Sequence, residues 1–336
     1  MSDVKRVLII RNSGIGDAIC LEPMLREFKK VYPLVELDIF ASLGNTEIFK
    51  NSLYVDNVFV KHRKRDYLKR VREFFKMKNR KYDLLIDTTN YHPDKALMSF
   101  FLKPKWAIAT DMLDNLKFDR KQFGFYDRVL SIVKDEHIVD KLLRFLVYLD
   151  IKEYDNKMQL HIPENYISDA NRYIKNLKAK NIVGINIDAK DKNRTLSSEQ
   201  LLHICKKLAS KDCFVLIFAM DNTREKFNQL VIQNSLKYVY VTPPTPSIYS
   251  AIALVKYIDV MISPDTAYIH IASALNIPTV GLFWNNMQKK TEWGPRAKNS
   301  VIVSSDIDGD NTLENIDLDF VVEEVKNILK KSQNGI

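Results

Sequence analysis

The sequence predicts an α/β protein made of two doubly wound parallel-sheet domains, and three observations carry that prediction. Short β-branched runs alternate with amphipathic stretches of helical period through both halves of the chain. The alternation breaks once, at KEYDNKMQLHIPENY (152–166), which reads as an interdomain linker. At 336 residues there is room for two separate cores. Strands that alternate with helices pair in parallel and carry helices on both faces. The expected boundaries are 1–155 and 160–320, with 321–336 a terminal helix that either completes the second domain or packs back on the first.

In chain order, the first-domain strands are VKRVLII, VELDIFA, NVFV, DLLIDT and KWAIA. AICLEPMLREFKKVY, between the first two, has apolar residues at helical spacing, and Pro23 inside it implies a kink or a late start. An irregular region around 110–124 precedes a long helical pattern, EHIVDKLLRFLVYLDI. The second series is NIVGINID, CFVLIFAM, KYVYV, DVMIS and PTVGLFW. DFVVEEVKNILKK closes the chain as a helix with basic residues in its last turn, as the helix dipole favours. Ligands of such sheets sit beyond the carboxyl ends of the strands, so chemistry is sought in the cleft that two facing domains would form.

Composition narrows the class. With 46% apolar and 28% charged residues the chain reads as globular and soluble. No apolar run reaches the roughly 18 residues of a membrane span, and the short one near the N-terminus reads as a strand rather than a secretory signal. Three widely spaced cysteines suggest neither a disulfide framework nor a zinc site, and fit a reducing cytoplasm. The net charge of +9 is lopsided: residues 1–150 carry 28 basic against 21 acidic side chains. Lys61–Lys81 alone holds 11 basic and 2 acidic ones. Such a stretch is either a solvated helix face or a patch for an anionic partner such as phosphorylated lipid, acidic sugar or nucleic acid. No helix-turn-helix, zinc-finger or RNA-reading pattern accompanies it, so nucleic acid is not an expected partner.

Two strand-to-helix junctions carry candidate chemistry. In RNSGIGDAIC, Gly14 and Gly16 would begin a dinucleotide fingerprint, but Ile19 replaces its third glycine and the acid expected after the second strand is missing. What the turn does present is Asp17 at a helix start, either a helix-capping aspartate or a functional carboxylate. In SPDTAYIHIASALNIPTVGLF, Thr266 and His270 lie four apart after Pro264-Asp265. Free backbone N–H groups, a hydroxyl and an imidazole at a helix N-terminus suit a phosphate or diphosphate; a capped helix with a core histidine would look similar. The acidic run Asp306–Asp319 fails the calcium-loop pattern, since Asn311 stands where glycine is required, and reads as a solvated lead-in to the last helix.

Together, VLIIRNSGIGDAICLEPMLREFKKVYP and SPDTAYIHIASALNIPTVGLF resemble the two signature regions of glycosyltransferase family 9, the lipopolysaccharide heptosyltransferases. YDLLIDTTNY, HIVDKLLRFLVYLDI and WGPR extend the resemblance in weaker form over nearly the whole chain. It implies the GT-B fold, with the acceptor on the first Rossmann-like domain and a sugar nucleotide on the second. Asp17 matches the family's general base. Ser13, Gly14 and Gly16 match its acceptor loop, and Arg63, Lys64 and Arg65 offer counter-charge to an anionic acceptor. Asp265, Thr266, Ala267 and His270 match its donor motif. NRTLSSEQLLHI resembles the segment in which a cation precedes a glutamate by five residues, giving Arg194 the diphosphate and Glu199 the marker position. Asp221 falls near an acid that contacts the nucleoside.

The match has departures: Ala267 for a usual glycine, Trp284-Asn285-Asn286 for a usual GPT, and Arg194 for a common lysine. The resemblance implies an inverting, metal-independent transferase without cofactor. It would move a heptose from ADP-heptose to the anionic inner core of lipopolysaccharide, in the cytoplasm. Open beside it are a different sugar nucleotide, a non-catalytic nucleotide binder on the same scaffold, and an NAD-dependent oxidoreductase.

Overall fold

The computed structural model describes residues 4–89, 98, 100–111, 126–131, 135–187, 189, 191–307 and 309–333. The chain divides into two compact units, Met1–Lys157 and Met158–Ile336. Each is built on a six-stranded, all-parallel sheet.

In the first unit the strands are β1 (Arg6–Arg11), β2 (Glu36–Ser42), β3 (Asn57–Lys61), β4 (Leu84–Asp87), β5 (Trp106–Asp111) and β6 (Arg128–Ser131), in the order β3-β2-β1-β4-β5-β6. Its helices are α1 (Ile15–Val31), α2 (Thr46–Lys50), α3 (Tyr67–Arg80) and α4 (Ile138–Tyr148). The second unit has β7 (Asn181–Asn186), β8 (Cys213–Phe218), β9 (Val239–Val241), β10 (Val260–Pro264), β11 (Thr279–Phe283) and β12 (Val301–Ser304). Their order, β12-β11-β10-β7-β8-β9, is the same winding written from the other edge. Its helices are α5 (Glu164–Leu177), α6 (Ser198–Leu208), α7 (Asp221–Gln233), α8 (Ile248–Val255), α9 (Ala267–Ala274), α10 (Met287–Trp293) and α11 (Leu318–Gln333).

Central strands of a parallel sheet are covered on both faces, so they read as unbroken apolar runs rather than alternating ones. Val7 to Ile10 illustrate this: all four are fully buried. Ten of the twelve strands lie where the sequence predicts. The two it misses, β6 and β12, are four-residue strands at sheet edges, RVLS and VIVS. The irregular stretch around 110–124, and Asn90 and Tyr91 of YDLLIDTTNY, fall largely or wholly outside the described residues.

One device recurs at the amino ends of the strands. An aspartate just before a strand accepts the first free N–H of its neighbour: Asp56 from Leu37 at 2.7 Å, Asp83 from Lys5 and Arg6 at 2.8 and 3.1 Å, Asp127 from Ala107 at 2.7 Å, and Asp259 from Ile182 at 2.7 Å. Each satisfies a backbone donor that the ladder leaves over, and so fixes register.

Two readings of the sequence are decided here. Helix α1 begins at Ile15 and runs through Pro23, so there is no late start. Helix α11 places Val321, Val325 and Ile328 in the core of the second unit and packs on α6, rather than leaving that unit.

Candidate functional site

The first candidate lies beyond the carboxyl end of β1. Arg11 ends the strand almost fully buried, 2% exposed, and its guanidinium is spoken for on every side. Nη1 donates to the Thr88 carbonyl at 2.8 Å, Nε to the Asp17 carbonyl at 3.1 Å, and Nη2 to Asp17 Oδ1 at 2.9 Å. The other carboxylate oxygen of Asp17 accepts the Gly14 N–H at 3.0 Å. Asp17 is therefore not the residue that caps α1 from outside. It stands at the third helical position and reaches back to the cap residue Gly14. A Cβ on residue 14 would meet Asp17 Oδ2 at 3.1 Å, so glycine is what permits the approach. Asn45 ties the loop down from below, donating to the carbonyl of Arg11 at 2.9 Å, and Ser42 Oγ donates to that of Ser13 at 2.8 Å. The result is a carboxylate fixed at both oxygens, with its side chain 25% exposed. Of the other predicted residues here, Ser13 and Gly14 are exposed and Gly16 is buried. Arg63, Lys64 and Arg65 are exposed in the loop from β3 to α3.

The second candidate lies beyond the carboxyl ends of β7 and β10. Thr266 caps α9, its hydroxyl accepting the Tyr268 N–H at 3.3 Å. The same hydroxyl is 3.1 Å from Ser263 Oγ and accepts from Asn186 Nδ2 at 3.0 Å, which locks the junction to β7. Arg194, at the end of a short 3₁₀ turn (Lys192–Arg194), donates through Nη1 to Asp265 Oδ2 at 2.9 Å and to the Asp265 carbonyl at 3.1 Å. Its guanidinium carbon lies 6.0 Å from the Trp284 ring centroid, a cation–π support. Burial pushes the Asp265 carboxyl above its ordinary range, and the Arg194 guanidinium opposes that rise. Two donors at this end are buried without an acceptor, Arg194 Nε and Trp293 Nε1.

Ala267 is the first residue of α9, and His270 is buried in its first turns, with the Trp293 ring edge-on at 5.7 Å. Glu199 is exposed in the first turn of α6, which Ser197 and Gln200 cap reciprocally. Asp221 opens α7 at the end of β8, exposed and paired to Arg224 at 2.6 Å. Thus Arg194, Asp265 and Thr266 stand together, with His270 close by on the same helix, while Asp221 belongs to the neighbouring strand end.

Sequence reasoning missed Arg11, Asn186 and Trp284. The first two had a signal: a polar residue closing an otherwise apolar strand, VLIIR and VGIN, is buried and so needs partners. Trp284 was noted only as a departure from a family pattern; in the structure it supports the cation. Asn286 of the same triplet caps α10, accepting the Lys289 N–H at 2.9 Å.

Comparison with known proteins decides the lineage. The model of glycosyltransferase family 9 (heptosyltransferase) matches residues 70–317. The chain belongs to glycosyltransferase family 9. As a family 9 chain it is a glycosyltransferase of the heptosyltransferase family. Among its relatives is the lipopolysaccharide core heptosyltransferase OpsX of Haemophilus influenzae, 21% identical over 83% of this chain and 79% of the relative. Among solved structures, the Escherichia coli ADP-heptose lipopolysaccharide heptosyltransferase II superposes with a TM-score of 0.78 at 16% identity, covering 98% of this chain and 99% of that one. The Escherichia coli heptosyltransferase WaaC with ADP gives a TM-score of 0.74 at 18% identity, covering 96% and 99%. The two Rossmann-like units are thus those of the GT-B class.

Proposed function

We propose that this family 9 transferase moves a heptose from ADP-heptose onto an anionic lipopolysaccharide-type core, with inversion at the anomeric carbon. The observation that carries the donor half is Arg194, a cation held by the half-buried Asp265 beside the Thr266-capped N-terminus of α9. Its unsatisfied Nε–H, with that of Trp293, asks for an acceptor such as a diphosphate oxygen. The names of the relatives support ADP-heptose as donor and a lipopolysaccharide core as acceptor.

In this reading Asp17 Oδ2 takes the proton of an acceptor hydroxyl while that oxygen bonds to the anomeric carbon. The bond from that carbon to the diphosphate breaks, and the leaving nucleoside diphosphate carries away the electron pair. Fixed positive charge at Arg194 and at the helix terminus stabilises the oxygen on which negative charge grows. Asp221 serves the nucleoside, and Ala267 and His270 border the diphosphate. Ser13, Gly14 and Gly16 line the acceptor's approach, and exposed Arg63, Lys64 and Arg65 attract its phosphates. The same groups would serve another sugar nucleotide, and Trp284-Asn285-Asn286, where relatives commonly differ, makes donor choice the point to test. In this reading the chain works in the cytoplasm, with at most peripheral contact with the membrane.

The test is calorimetric titration of ADP, UDP, GDP and NAD into the full chain and into Asp265→Ala. Selective ADP binding, lost in the variant, is the expected result, because without the Asp265 carboxylate the Arg194 guanidinium loses its charged anchor and keeps only the backbone carbonyl of residue 265. Preference for UDP or GDP would keep the transferase and discard the heptose donor. Preference for NAD would overturn the reading.

A further inference from the structure

Beneath α3 the first unit contains a cavity of about 450 Å³ that none of the groups above occupies. Its size is that of a small-ligand site, for which about 300–1,000 Å³ is usual. The walls are apolar: Phe40 and Val60 from the sheet, Val71, Phe74 and Met77 from α3, and Phe101 opposite. Aromatic rings continue outward from it, with Phe74 5.9 Å from Phe75 and 6.4 Å from Phe101. Phe75 and Phe101 remain 54% and 50% exposed, an apolar patch that a soluble surface ordinarily avoids.

The polar lining is one-sided. Lys61, His62 and Arg70 contribute to it, no carboxylate does, and neither Lys61 nor Arg70 is paired to one among the described residues. Among the described residues two further polar side chains line this space: Tyr67, itself largely exposed, and Asn12, whose Nδ2 is buried with no acceptor among them. Asn12 directly precedes Ser13 in the loop that holds Asp17, so the cavity adjoins that loop. A peptide would bring a row of backbone donors and acceptors, and these walls could not satisfy them. An occupant of matching chemistry has an apolar body without polar groups and an anionic end.

We propose that this cavity binds one acyl or alkyl chain of a phosphorylated lipid, with Lys61 and Arg70 taking the phosphate and Asn12 donating to a headgroup oxygen. Burial of the chain supplies the attraction and the two cations fix its direction. The binding itself is independent of the transfer reaction. Its use, to seat a lipid-linked acceptor by its tail beside Asp17, rests on the function proposed above.

The test is titration of dodecyl phosphate, kept below its micelle concentration, into the full chain. Comparison arms are dodecanol, inorganic phosphate and phosphatidylglycerol vesicles, and ADP is titrated separately. One dodecyl phosphate per chain is expected, bound more tightly than either dodecanol or inorganic phosphate. Val71→Phe, which fills the cavity, should weaken it about tenfold or more, since each methylene left in water forfeits about a factor of four. Its ADP titration should match the wild type. Lys61→Gln with Arg70→Gln should weaken dodecyl phosphate while leaving dodecanol unchanged, and this half-exposed pair carries the test should Val71→Phe not fold. Absence of saturable binding, indifference to both variants, or binding to vesicles alone would overturn the proposal. A failure of ADP binding with dodecyl phosphate retained would sink the donor reading and leave this one standing.

Discussion

In each Rossmann-like unit an arginine–aspartate pair beyond the carboxyl ends of the central strands closes at 2.9 Å. They differ in which partner is hidden. In the first unit Arg11 is 2% exposed and Asp17 25%; in the second Asp265 is 15% exposed and Arg194 29%. The same bond therefore presents a carboxylate in one unit and a guanidinium in the other. A buried ion acts as the anchor, because leaving it unpaired is costly, and the exposed partner is then available for chemistry. An acceptor hydroxyl needs a carboxylate, and a departing diphosphate needs a cation. On the function proposed above, inverting the burial of one pair would meet both demands with the same two residue types.

The largest effect should come from Asp17→Asn. The amide keeps an acceptor for Arg11 but gives up proton-abstracting power, so turnover should fall about 10²–10⁴-fold, the usual weight of a positioned general base. Nucleotide titration should be unchanged, because the residue belongs to the other unit. Asn is the informative replacement: Asp17→Ala would strand a buried guanidinium, at a cost of about 3–5 kcal/mol, and confuse catalysis with folding. Full activity in Asp17→Asn would remove the carboxylate from the mechanism and reduce the first pair to a structural clamp.

Next in size is Arg194→Gln, expected to cost about 10²–10³-fold in turnover, as loss of one fixed electrophilic donor commonly does. Here nucleotide binding should weaken too, which separates the two units' pairs by assay. Arg194→Lys sharpens the comparison. A lysine keeps the charge but not the two-bonded geometry with Asp265 nor the stacking on Trp284, so rescue should be partial. Complete rescue would show that only the charge matters.

Much of this arrangement was legible in the sequence, and the missing part has a physical cause. The central strands announced themselves because a doubly covered parallel strand is an unbroken apolar run, and the sequence analysis missed two edge strands, β6 and β12. Asp17, Asp265 and Thr266 were legible as residues at strand-to-helix junctions, and two quoted motifs linked them to a family; Arg194 was reached only through the resemblance of NRTLSSEQLLHI to a segment of that family. Their pairing was not. Arg11 is six residues from Asp17, but Arg194 is 71 from Asp265, and only the β7–β10 adjacency brings them together. The cavity under α3 was hidden for another reason: Lys61–Lys81 reads as charge, and its charge masks the aromatic residues that face inward.

The smallest expected effect tests whether the two units, alike in winding, are also alike in how they tie strand to strand. Asp83 and Asp259 hold equivalent places, one before β4 and one before β10, each accepting from the first residues of the unit's central strand. Burial pushes both carboxyls up. At Asp83 the Lys105 ammonium and two backbone N–H groups outweigh it and leave the group below its ordinary value of 3.8. At Asp259 the single Ile182 N–H does not, and the group stays above that value. The signs follow by linkage. Asp83 contributes stability above pH 3.8 and loses it as the pH falls through its lowered folded value, whereas Asp259 contributes below 3.8 and loses it as the pH rises through its raised one. At neutral pH Asp83→Asn should therefore cost about 1–2 kcal/mol, and Asp259→Asn distinctly less. In calorimetric melts from neutral to acid pH, the gap between wild type and Asp83→Asn should close, and that between wild type and Asp259→Asn should widen. Parallel curves for the two variants would mean that the staples are interchangeable, and that the units differ only in what they present beyond the carboxyl ends of their strands.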